Sequence, residues 1–188
     1  VREALPRARG HDDGDQARWF QADNDMSSTR LRFAGKTKID DDWSAGMLIE
    51  AQFESNSTTD VTIDQNTAVI ASNSFTQRKL EVWFNNAKLG KLYLGQGSTA
   101  SDGTVETDLS GTGVISGAGF AVLGESLAFR LSGTGGTSSG VTVGNLFDTQ
   151  DGLSRDDRVR YDSPTLAGVK LSTSWVDGDE WDVAARYG

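Results

Sequence analysis

Few residues in this sequence are arranged to make or break bonds. It holds one histidine, His11, and no cysteine, which removes disulfides, thiolate zinc sites and cysteine nucleophiles together. His11 lies in a polar stretch without the oriented partner and pocket that a general base needs. No catalytic residue is therefore expected. Carboxylates are abundant, and the acidic stretches at residues 12–15, 23–25 and 177–182 carry oxygen ligands of the kind calcium takes. None has the spacing of an EF-hand, with its central glycine and terminal glutamate. No metal site and no resident cofactor is expected; a calcium ion bound by acidic loops is the one ion left open. The more informative residues are basic and fall at alternate positions: Arg30, Arg32, Lys36 and Lys38, then Lys79, then Arg158, Arg160 and Lys170. Such a set does electrostatic work, and its use depends on what displays it.

Alternation at a period of two belongs to β-strands. In residues 29–38 Leu31 and Phe33 oppose the four basic side chains. Residues 44–54 set Ala45, Met47, Ile49, Ala51 and Phe53 against a side that is polar or small except for Leu48, and the two segments read as a hairpin closed at Asp40, Asp41 and Asp42. A second hairpin follows, residues 77–85 and 91–95, with Leu80, Val82 and Phe84 opposite Lys79, Glu81 and Trp83. Residues 157–163, 169–176 and 181–187 repeat the pattern. Between these lie residues 55–76, read as a long loop, and residues 97–157, rich in Gly, Ser, Thr and Asp, with one short strand expected at 126–131. Residues 113–124 are apolar but too glycine-rich for a stable helix. Residues 1–28 read as an exposed loop, with at most the stub of a strand before it.

Across 188 residues the sequence has 27 acidic against 18 basic side chains, 22 glycines, two prolines and 36% hydrophobic residues. That composition excludes a helical bundle rich in Leu and Ala. A net charge of −9 provides no basic excess to neutralise phosphates, so nucleic acid is not an expected partner. No run approaches the length of a membrane helix, but a membrane β-barrel crosses with short alternating segments that a hydropathy scan misses. Strands with one apolar face have two homes. In a soluble sandwich that face is the core; in a membrane barrel it meets lipid, and the polar face lines a lumen. Strands of nine to eleven residues, short turns alternating with long polar loops, and aromatic residues at strand ends (Trp43, Phe53, Phe84, Trp175, Trp181 and Tyr187) favour the barrel. The period alone leaves both open.

The wording of the strands adds a resemblance. Ser28-Thr29-Arg30-Leu31-Arg32-Phe33-Ala34-Gly35-Lys36 resembles the "SSTRFGFKG" strand of Gram-negative general diffusion porins. Arg158-Val159-Arg160-Tyr161-Asp162-Ser163-Pro164-Thr165-Leu166-Ala167-Gly168-Val169-Lys170-Leu171-Ser172 is similar to their "NSVRYDSPSFAGFKLSASY". Residues 44–53, 75–80 and 89–96 resemble the family's intervening strands, in the same order and spacing. The resemblance is faint in residues 1–27 and 98–155. It implies an all-β fold: an antiparallel transmembrane barrel of about 16 strands, of which residues 1–188 form a single incomplete segment covering roughly the N-terminal half. It also implies passive diffusion of small polar solutes and ions, a homotrimer, contact with outer-membrane lipid and lipopolysaccharide, and residence in the outer membrane of a Gram-negative bacterium.

In that family the long loop folds into the barrel and sets acidic residues against basic ones on the wall. The loop corresponds to residues 97–157. The resemblance then implies pore-lining or selectivity roles for Arg30, Arg32, Lys79, Arg158 and Arg160 on the wall, and for Asp102, Glu106 and Asp108 on the loop. Gln96 departs from the family, which commonly has Arg there. The rival expectation is a secreted, glycine-rich β-sandwich, an adhesin or carbohydrate-binding module, in which Trp83, Tyr93, Trp175 and Trp181 would be core or sugar-stacking residues.

Overall fold

The computed structural model describes residues 7–64, 75–113, 117–133, 136–148 and 150–188. Among them the strands are β1 (Arg7–Asp12), β2 (Ala17–Ala22), β3 (Thr29–Lys38), β4 (Trp43–Phe53), β5 (Phe75–Asn86), β6 (Gly90–Ser98), β7 (Ala128–Arg130), β8 (Ser138–Thr142), β9 (Arg155–Asp162), β10 (Val169–Val176) and β11 (Trp181–Tyr187). One helical turn, α1 (Val143–Leu146), and two 3-10 turns (Asp25–Ser27 and Phe120–Leu123) complete the elements. The strands expected from alternation are present within a few residues of their expected ends. Residues 65–74 of the loop expected at 55–76, and residues 114–116 of the apolar stretch 113–124, lie outside the described residues.

The chain divides into two compact units, each drawn from three separate segments. The first comprises Val1–Arg30, Gln52–Thr76 and Asp108–Thr149. Here the expectation of an exposed loop over residues 1–28 is corrected over residues 7–22, while residues 1–6 lie outside the described residues. β1 and β2 form an antiparallel hairpin paired from Arg7 with Ala22 to Asp12 with Ala17. The acidic cluster that hid it is turn chemistry: Asp12 accepts from the Gly14 N–H, and Asp13 from the N–H groups of Asp15 and Gln16, which closes the hairpin. A short β7–β8 hairpin supplies the strand expected at 126–131. Arg130 on β7 reaches Asp13 at 2.5 Å and Asp64 at 2.7 Å, so one guanidinium ties the first hairpin's turn to the stretch after β4. Asp13 is accordingly held down at about 2, by the Gln16 N–H and by Arg130.

The second unit comprises Leu31–Ala51, Gln77–Thr107 and Gln150–Gly188. It is built on an open seven-stranded sheet in the order β11-β10-β9-β6-β5-β4-β3, with β3 and β11 at its edges. Cross-strand register carries the alternation from strand to strand. On one face Leu92 lies beside Tyr161 and Thr173 beside Val183; one step along, Leu94 lies beside Val159 and Trp175 beside Trp181. On the other face Tyr93 pairs with Arg160 and Ser174 with Asp182.

Burial follows these faces in the reverse of the usual sense. Arg158, Asp162, Ser172 and Ser174 are buried, whereas Leu171, Trp175 and Val183 are 56%, 64% and 63% exposed. A large apolar side chain left in water forgoes about 1.5–3 kcal/mol, and this sheet exposes such side chains on strand after strand. Hydrocarbon suits that face, and the sandwich expectation, which needs it as a core, is not met.

Candidate functional site

The polar face of the sheet is covered by the stretch that leaves β6. Ala100 has no exposed surface, and the segment is held from both of its backbone polarities. Its carbonyls accept from arginines: Arg158 Nε bonds the Ser98 oxygen at 3.0 Å, Arg160 Nη1 the Thr99 oxygen at 2.8 Å, and Arg186 Nη2 the oxygens of Ala100 and Asp102 at 2.8 and 3.0 Å. Its N–H groups meet acceptors from the sheet edge: Asp182 takes the Ser101 N–H at 2.7 Å and the Ser101 hydroxyl at 2.5 Å, while the Ala100 N–H also bonds the Ser174 hydroxyl. Strand alternation places these side chains, because Arg158, Arg160, Ser174, Asp182 and Arg186 all occupy the inward parity of neighbouring strands. Hydrogen bonds to charged groups are stronger than neutral ones, so the loop's root is a fixed part of the wall.

Charges on this face are grouped around shared carboxylates. Glu50, 1% exposed, is gripped by Arg32 and by Arg78 at 3.0 Å. Asp162 is shared by Arg160 at 2.7 Å and Lys170 at 3.6 Å. Glu81 pairs with Arg158 deep in the sheet. At the first two carboxylates two cations meet one anion. The loop carries the opposite sign: Asp151 accepts the Gly103 N–H at 2.7 Å and shares its surroundings with Asp102 and Glu106. Burial and those two neighbours push its carboxyl up to about 6, against the Gly103 bond. In the first unit a second carboxyl is raised, Glu54, to about 8, by burial and by a hydrogen bond with Asp25.

A sequence model described as Gram-negative porin matches residues 8–187. The chain belongs to the Gram-negative porin family. Among solved structures, the anion-selective porin from Comamonas acidovorans is similar in fold, with a TM-score of 0.52 at 15% sequence identity, over 88% of this chain and 41% of that one. This chain thus spans well under half the length of that porin. No curated protein matches the sequence.

Within the porin, the residues singled out from sequence fall into three groups. Arg158 and Arg160 come together at the root of the loop, and Lys79 joins them through a 2.8 Å bond to the Ser98 hydroxyl. Their guanidinium and ammonium groups hold backbone and side chains of that root. Arg32 stands on the open wall, its side chain 55% exposed despite its bond to Glu50. Asp102 and Glu106 gather with Asp151 on the loop. Arg30 and Asp108 belong to the other unit. There Arg30 bonds the Ser28 carbonyl at 3.2 Å, and the Ser110 hydroxyl and N–H hold Asp108 below the ordinary carboxylate range.

Sequence reasoning passed over Asp182, Arg186, Glu50, Glu81, Arg78 and Asp151. The signal for Asp182 and Arg186 was available as parity, since both lie on the polar side of β11. Asp182 also ends the acidic stretch 177–182, whose composition points instead to an oxygen donor for calcium. Among the described residues no cluster of three or more His, Asp or Glu side chains is disposed to hold a metal ion.

Proposed function

We propose that this porin forms a water-filled channel across the outer membrane and passes small hydrophilic solutes and ions by passive diffusion. The apolar strand faces meet lipid and lipopolysaccharide, the polar faces line the lumen, and the barrel assembles as a homotrimer. One observation carries this reading: the face that buries Arg158 and Asp162 is the ionic one, and the exposed face holds Leu171, Trp175 and Val183. A chain that hides its charges and presents its apolar side chains is built for a nonpolar exterior and a wet interior.

No bond is made or broken in this function. Solutes are sorted by the width of the passage and by the field between the wall, where Arg32 and Arg78 share Glu50, and the loop, where Asp102, Glu106 and Asp151 gather. In a passage with low-dielectric walls such opposed charges act over several ångströms on a permeating ion. The test is reconstitution of the full-length porin in a planar bilayer under a salt gradient. Stepwise conductance is expected, and Asp102→Asn combined with Glu106→Gln should move the reversal potential toward anions. A protein that stays soluble without detergent and gives no steps would overturn the reading.

A further inference from the structure

A recess of about 410 Å³ opens on the polar face of the sheet, within the second unit. Its lining combines the apolar or aromatic side chains of Ala34, Leu48 and Trp83 with the cationic ones of Arg32, Lys36 and Lys91. Aromatic and aliphatic side chains are unusual on a face that otherwise displays charge, and two features show that their place is built. First, the Trp83 indole lies close against the backbone of β4: a Cβ on Gly46 would strike both the indole and the Gly35 carbonyl. Glycine at that position gives the ring its place. Second, Trp83 and Tyr93 face each other across β5 and β6, and the Lys91 ammonium sits 4.2 Å from one ring centroid and 4.4 Å from the other.

Neither Lys36 nor Lys91 has a carboxylate within ion-pair distance among the described residues, while the one acid lining the recess, Glu81, is buried against Arg158. At Lys36 and Lys91 the recess therefore offers positive charge without a resident carboxylate, beside aromatic and aliphatic side chains. Its volume falls at the small end of ligand pockets.

We propose that this recess is a binding subsite for small organic anions that carry a flat apolar body, aromatic monocarboxylates being the simplest class. The carboxylate would lie between Lys36 and Lys91, and the ring would cover Leu48 and the open part of the Trp83 indole. An anion lacking a ring leaves those side chains in water, and a neutral ring leaves the ammonium groups uncompensated, so only the combination uses both surfaces. Such a subsite would raise the local concentration of these solutes inside the channel and favour their flux at low outside concentration.

This inference rests on the channel reading, and benzoate separates the two. In single-channel recordings of the full-length porin, benzoate should cause saturable interruptions of the ionic current. Acetate and benzyl alcohol should act about tenfold more weakly, each lacking one of the two contacts. Lys36→Gln with Lys91→Gln should abolish the benzoate response while leaving conductance steps in potassium chloride. Trp83→Leu should weaken it, and Trp83→Phe should largely retain it. Benzoate interruptions that match those of acetate, or that survive the double lysine substitution, overturn the subsite and leave the channel standing. A protein without conductance steps overturns both.

Discussion

At Gly97 a side chain would have no room: its Cβ would lie 2.7 Å from Arg158 Nη2 and against the Glu81 carboxylate. The glycine is what lets a buried ion pair form in the middle of the sheet, and the pair in turn supports the carbonyls of Gly95 and Ser98 through the remaining arginine nitrogens. Removing one partner strands the other charge. Arg158→Leu is expected to cost about 3–5 kcal/mol of folding stability, because Glu81 stays buried without compensation. Arg158→Leu with Glu81→Leu should recover much of that loss, as read from urea unfolding in lipid vesicles by tryptophan fluorescence. Glu54 supplies a different test at this scale. Its carboxyl is raised from 4.5 to about 8, so the stability linked to its proton is complete below the unfolded value and disappears as pH climbs through the folded one. Above that point Glu54 and Asp25 repel. Proteolytic cutting near residues 55–64 should therefore increase between about pH 6.5 and about pH 9 in the native protein and stay flat in Glu54→Gln.

Strands and loops differ in how much of them the sequence displays. β3, β10 and β11 were legible to the residue, because a sheet with one lipid-facing side writes its alternation directly into the chain. β1 and β2 were not: each is six residues long, and the Asp-rich turn between them looks like loop composition until Asp12 and Asp13 are seen capping its N–H groups. The basic wall was legible as a set of positions, but the division of labour within it was not. Whether Arg160 faces solute or holds a carbonyl depends on where residues 99–102 lie, and backbone acceptors leave no trace in side-chain spacing.

That loop root yields two predictions. Asp182→Ala removes the acceptor for Ser101, so the loop should loosen, with larger and noisier single-channel conductance; Asp182→Asn should fall between. Asp151, raised from 3.8 to about 6 by burial and its acidic neighbours, is protonated below that pH and charged above it. Lowering pH from about 7.5 to about 5 should shift the reversal potential toward anions as the loop loses negative charge. Asp151→Asn should show the anion-shifted value at the higher pH and lose most of the change.

The seven-stranded sheet places its apolar surface where a water-soluble protein would place ions, and this can be tested without measuring transport. Leu171 stands within β10 on the exposed face, two residues from the strand's start and in register with Ala185 of β11, while Ser172, its immediate neighbour, is buried on the other face. In water, Leu171→Arg would be a mild surface change. Against hydrocarbon, an arginine near the bilayer midplane costs about 2–4 kcal/mol and less toward either interface. Trp175 and Trp181 pair with each other toward the strand ends, where aromatic rings favour the headgroup level, so the same substitution there should lose the large-ring contact but incur a smaller charge penalty. Folding free energies measured in vesicles should rank Leu171→Arg as the most destabilising of the three through its charge, as judged against Leu171→Ala, Trp175→Ala and Trp181→Ala. Equal charge penalties at all three positions would mean that this face does not cross a bilayer, and the depth of each strand, rather than its composition, is what the comparison reads.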